Sequence, residues 1–119
     1  MRWFAALLAL LTSTSALATH SLSCDGKTYD LDMSIGSDNI VNSATLSDRV
    51  TKVVTVFRGN EVETKNLQWP SNEGDSSANR LELVLRTKTG QSFVISAKGK
   101  NAVLQHQGSN HVLDCNWQR

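Results

Sequence analysis

The side chains able to do acid–base or ligand chemistry in this 119-residue chain are few and far apart. Its three histidines, His20, His106 and His111, lack the close spacing of a metal-ligand set. No metal site and no cofactor is therefore expected. A His106–His111 pair on neighbouring strands reads as a surface pair. Serine, histidine and aspartate are present, but nothing in their order marks a nucleophilic triad. Lys98-Gly99-Lys100 is a basic turn that could meet a phosphate or a carboxylate. As a hairpin tip in solvent it needs no function, and that reading is the simpler one. The remaining reactive groups are two thiols, Cys24 and Cys115, which lie 91 residues apart near the two ends of the chain.

What precedes Cys24 decides the state of those thiols. The chain opens with Met1-Arg2, then an apolar run over residues 3–11, then Thr12-Ser13-Thr14-Ser15 and Ala16-Leu17-Ala18. A basic start, a short apolar core and an A-x-A ending make a secretory signal. The apolar run is too short to span a bilayer. The expected organisation is a signal peptide at 1–18 and a single secreted domain at 19–119. Secretion places the thiols in an oxidising compartment, so Cys24 and Cys115 are expected to pair and tie the first strand to the last.

Charge narrows the choice of partner. Removing Arg2 with the leader from the 12 basic residues leaves 11, against 11 acidic ones. A balanced domain has no general electrostatic grip on nucleic acid, which needs an excess of Lys and Arg. A local basic patch is still allowed.

The elements that must position these residues are mostly strands. Residues 27–33 alternate, with Tyr29, Leu31 and Met33 on one face and Asp30 and Asp32 on the other. Residues 50–57 are β-branched and apolar, Arg58-Gly59-Asn60-Glu61 turns, and 62–69 returns as a weaker strand closed by Pro70. Residues 71–79 form a polar loop. Residues 80–87 are the clearest strand, with Leu81, Leu83 and Leu85 on one face. Strands at 92–98, 102–106 and 111–117 complete a four-strand antiparallel meander. Residues 37–50 are ambiguous. Ser37 or Asp38 could cap a helix with Ile40, Val41, Ala44 and Ser47 inward, while Ile40, Asn42, Ala44 and Leu46 also alternate. The helix is the favoured reading. The expected fold is thus α+β, one short helix packed on an antiparallel β-sheet. The alternative is an all-β eight-stranded barrel.

Gln68-Trp69-Pro70, Ala78-Asn79-Arg80-Leu81 and Val94-Ile95-Ser96-Ala97-Lys98-Gly99, followed by Cys115, form an ordered set. It resembles the small guanyl-specific fungal ribonucleases, which carry Glu-Trp-Pro, Ala-Asp-Arg and Val-Ile-Thr-His-Thr-Gly before a bridging cysteine. The resemblance implies a ribonuclease-like scaffold with vestigial active-site positions Gln68, Arg80 and Ala97. Gln68 stands where the family has its general base, and an amide cannot take that proton. Ala97 stands where the family has its histidine acid. Arg80 matches the arginine that stabilises phosphate charge. His106, in Val103-Leu104-Gln105-His106-Gln107-Gly108, is a rival match to the histidine. A scaffold without its proton carriers is similar to the RNase-like effectors of powdery mildew fungi. That implies a secreted, non-enzymatic, monomeric virulence protein, delivered into host cells, binding host RNA or a host protein without cleaving RNA. Arg80, Lys98 and His106 are the candidate binding residues.

A second resemblance comes from another class. Cys24-Asp25-Gly26-Lys27 and Lys98-Gly99-Lys100-Asn101-Ala102-Val103-Leu104 are similar to the two ends of the periplasmic inhibitors of chicken-type lysozyme, which are eight-stranded barrels. That family's Ser-Gly-x-x-Tyr loop has only Ser76-Ser77-Ala78-Asn79 as a counterpart here. In this reading Lys98 reaches into a lysozyme carboxylate pair. The two resemblances separate at residues 38–48, where a helix favours the ribonuclease scaffold and a strand the barrel. A third reading is a secreted β-domain without either role.

Overall fold

The computed structural model describes residues 18–36, 38–70 and 76–118, so the signal-peptide expectation falls almost wholly outside the described residues. Nine strands follow one another: β1 (Ala18–Gly26), β2 (Tyr29–Gly36), β3 (Val41–Asp48), β4 (Val54–Arg58), β5 (Val62–Gln68), β6 (Arg80–Arg86), β7 (Ser92–Lys98), β8 (Asn101–His106) and β9 (Ser109–Gln118). They form one sheet in the order β4-β3-β2-β1-β9-β8-β7-β6-β5, and every neighbouring pair is antiparallel.

The α+β expectation is corrected by β3. Among the described residues there is no α-helix, and the segment read as a helix is a central strand paired with β2 and β4. Burial explains the outcome. The strand turns Val41, Ala44 and Leu46 into the core, whereas a helix facing Ile40, Val41, Ala44 and Ser47 inward would leave Leu46 outside. Ile40 is in fact exposed. Pairing on both edges also satisfies the backbone groups of the segment.

The ends of the sheet come from a single bend. With all pairs antiparallel, the first and last strands in a nine-strand order run in the same sense. β4 and β5 are joined by only the 3-10 turn Gly59–Glu61, of three residues. A crossover between parallel neighbours needs about a dozen residues or more. β4 and β5 are therefore two halves of one bent strand that changes partner from β3 to β6, and the sheet nearly closes into a barrel. The Glu61 carboxylate accepts the Arg58 backbone N–H at 3.1 Å and holds the bend.

Alternation along each strand fills the interior. Leu22, Leu31, Met33, Ile35, Phe57, Leu81, Leu83, Leu85, Ile95, Leu104 and Leu113 are all buried in one core. A barrel of about eight strands has room inside for side chains and little else. Chemistry is thus confined to the outer face and the two mouths. One mouth carries the short turns at 27–28, 49–53, 87–91 and 107–108. The other carries residues 38–40, 69–70 and 76–79 and the turn after β7.

The expected bridge is present. Cys24 and Cys115 stand opposite each other in the β1–β9 register, bonded and buried.

Candidate functional site

The basic turn and residues 76–79 meet at the second mouth. Residues 76–79 form a turn closed by the Asn79 N–H on the Ser76 carbonyl at 2.9 Å. The Gly99 N–H then donates to the Asn79 carbonyl at 3.0 Å. A Cβ on Gly99 would lie 3.3 Å from both the Ser76 oxygen and the Ser77 Cα, so the two backbones touch. Arg80 opens β6 and turns its guanidinium back on the loop. Its Nη1 donates to the Ser77 carbonyl at 2.6 Å and to the Asn79 carbonyl at 2.9 Å. From the other side, the Trp117 indole N–H donates to the Gly99 carbonyl at 2.7 Å, and the Cys115 N–H to the Lys100 carbonyl at 2.7 Å.

Aromatic packing supports this floor. Trp69 is buried and stacks edge-on to Trp117 with ring centres 5.0 Å apart, and His20 lies tilted on Trp69 at 5.0 Å. Two buried polar atoms here, His20 Nδ1 and Asn79 Oδ1, have no hydrogen-bond partner among the described residues. Such atoms are uncommon, and both belong to this mouth.

Register places the candidate residues. Gln68 pairs with Arg80, Arg80 with Lys98, and Lys98 with Asn101, so they share the outer face. The row continues through Asp114 and Asp25 to Asp30. A chain of nearly zero net charge thus carries a basic end, Arg80 and Lys98, and an acidic end, Asp114, Asp25 and Asp30. Asp30 is paired with Arg49 at 2.8 Å. Lys98 is exposed, and none of the described ion pairs or hydrogen bonds includes its ammonium. None of the described ion pairs includes Arg80, whose guanidinium bonds to the two carbonyls instead.

The structure does not assemble the ribonuclease positions. Gln68 and Arg80 are neighbours, but Ala97 faces the core and is buried. A cleft built from all three would have to use both faces of one sheet. His106 lies at the opposite mouth, stacked on Phe93 with ring centres 3.9 Å apart and with Nδ1 3.0 Å from the Ser92 carbonyl. It is therefore separate from Arg80 and Lys98. Among the described residues, no group of three or more His, Cys, Asp or Glu side chains could hold a metal ion. No described helix is long and apolar enough to cross a membrane.

Comparison with protein-family models, with curated proteins and with solved structures finds no match. The geometry alone must carry the argument. Sequence reading missed the Trp117 anchor and the contact between 76–79 and Gly99. The indole at 117 is one turn of alternation beyond Cys115, on the same face, and that spacing was the available signal.

Proposed function

We propose that this chain is an exported protein inhibitor of chicken-type lysozyme. It presents the 76–79 loop and Lys98 as one rigid edge to the carboxylate-lined cleft of the enzyme. The single observation behind this reading is the contact between the Ser76-Ser77-Ala78-Asn79 loop and the Lys98-Gly99 turn, beside which the Lys98 ammonium has no ion pair among the described residues. The strand at residues 41–48 supports the same reading, because a strand there fits the barrel, whereas a helix would have favoured the ribonuclease scaffold.

The physical logic is direct. Glycosidases of this type work with a pair of carboxyl groups flanking the scissile bond. An ammonium inserted between them makes charge-assisted hydrogen bonds and blocks the sugar. Arg80 and Trp117 hold the edge before docking, so little ordering cost remains at binding. Truncating one partner of a buried charge pair costs about 2–5 kcal/mol, so Lys98→Ala should weaken inhibition by about 30-fold or more.

The test is lysis of bacterial cell walls by hen egg-white lysozyme, with and without the disulfide-bonded protein. Wild type should suppress lysis and Lys98→Ala should not, at an unchanged thermal midpoint. Full lysis in the presence of excess wild-type protein would sink the reading.

A further inference from the structure

The opposite mouth holds a separate constellation. Tyr29 sits edge-on to Phe93, with ring centres 6.0 Å apart, and edge-on to His111 at 4.9 Å. Phe93 in turn stacks on His106. Asp48 stands opposite Tyr29 in the β2–β3 register. Its Oδ1 accepts the N–H groups of Val50 at 2.8 Å and Thr51 at 3.1 Å. Those turn bonds, the Thr51 one foremost, hold the Asp48 carboxyl below its ordinary range, and the nearby His111 acts in the same direction. Burial, then the Asp48 charge, pushes the Tyr29 phenol up. The phenol therefore stays neutral while the carboxylate stays ionised.

Tyr29, Asp48, Phe93 and His106 line an opening of about 240 Å³, completed by Leu46, Val53, threonines and Gln91. No Lys or Arg is among its described lining residues. Drug-sized ligands occupy about 300–1,000 Å³, so this opening suits a headgroup of a few heavy atoms. Aromatic faces attract cations, most strongly where water is excluded. A lone carboxylate beside them repels anions and leaves neutral ligands without a charge partner.

We propose that this mouth binds a small organic ammonium group among the Tyr29, Phe93 and His106 rings, with Asp48 as its counter-ion. The site is independent of Lys98, at the other end of the barrel.

The test is an NMR titration of the disulfide-bonded protein with n-butylammonium and tetramethylammonium, read at the Tyr29 and Phe93 ring resonances. The neutral control is n-butanol. Both ammonium ions should give saturable shifts, and n-butanol should bind at least about tenfold more weakly. Asp48→Asn keeps an oxygen for both turn bonds and removes the charge, so it should weaken ammonium binding by about tenfold or more. Gln91→Lys, at an exposed rim position, should do the same without touching the core. Equal binding of n-butanol, or wild-type affinity in both variants, overturns the proposal.

Discussion

Arg80 and Lys98 stand directly opposite each other on β6 and β7, two cations in one cross-strand pair. Like charges in such pairs destabilise a sheet by up to about 1 kcal/mol. The arrangement persists because the two charges do different things. The Arg80 fork bends away onto the Ser77 and Asn79 carbonyls, and Lys98 is left facing solvent.

Arg80→Ala should therefore loosen the loop more than it lowers stability. Hydrogen exchange at the Gly99 and Asn79 amides should accelerate, with a loss in unfolding free energy below about 2 kcal/mol. Arg80→Lys should restore protection only in part, because both bonds come from Nη1 and an ammonium on a flexible stem lacks the rigid plane that aims that nitrogen at the two carbonyls. Unchanged exchange at Gly99 in Arg80→Ala would show that the clamp is idle.

Gly99 has φ +59° and touches the loop backbone. Gly99→Ala should cost about 1–2 kcal/mol from the left-handed conformation and should also push residues 76–77 away, weakening lysozyme inhibition. Gly108→Ala is the control, since its φ is +79° but a Cβ there meets nothing within 4 Å. It should lose stability comparably and keep full inhibition. Equal inhibition by the two variants would separate the loop contact from the function.

The buried Cys24–Cys115 bond closes a 91-residue separation. In the chain-entropy model such a loop is worth about 4–5 kcal/mol, an upper bound. Urea unfolding with and without reductant measures it. The reduced protein should unfold at a clearly lower midpoint, and coincident curves would show that the core alone holds β1 against β9.

Glu63 carries the acid sensitivity on the outer face. Hydrogen bonds from Lys65 at 2.6 Å and from Arg86, then their charges, lower its carboxyl from the ordinary 4.5 to about 2. A depressed folded-state value means that the contribution is complete above about pH 4.5 and is lost as pH falls toward 2. The group is exposed, so the effect on stability is small. Carbon-detected NMR should place the Glu63 midpoint near 2, and it should rise toward its ordinary value in Arg86→Ala.

Strong alternation made most of the fold legible in the sequence. Tyr29, Leu31 and Met33, and Leu81, Leu83 and Leu85, all face the core as their spacing requires. The cysteine pair was legible from its placement in the chain and from the leader expected before it. The segment at 37–50 was not, for a specific reason. The β2–β3 register slips between Ser34 and Ile35, so that Asn42 is an extra residue on β3. The bulge separates inward Val41 from inward Ala44 by three positions and imitates a helical period. β1 was missed because Leu22 and Cys24 are its only described core residues, set among serines. Of the site, Lys98 and Arg80 were visible as charges. Their shared row with Gln68 was not, because cross-strand register is a property of the sheet rather than of any one segment.

Joined at Cys24 and Cys115, residues 24–115 form a covalent ring. A protease that cuts once inside that ring, for instance at the exposed Arg49 or Lys52 in the turn between β3 and β4, opens the circle but releases nothing. The two pieces stay tethered at β1 and β9, where the sheet can pair them again. Two separate cuts, or one cut and a reductant, are needed before any fragment can diffuse away.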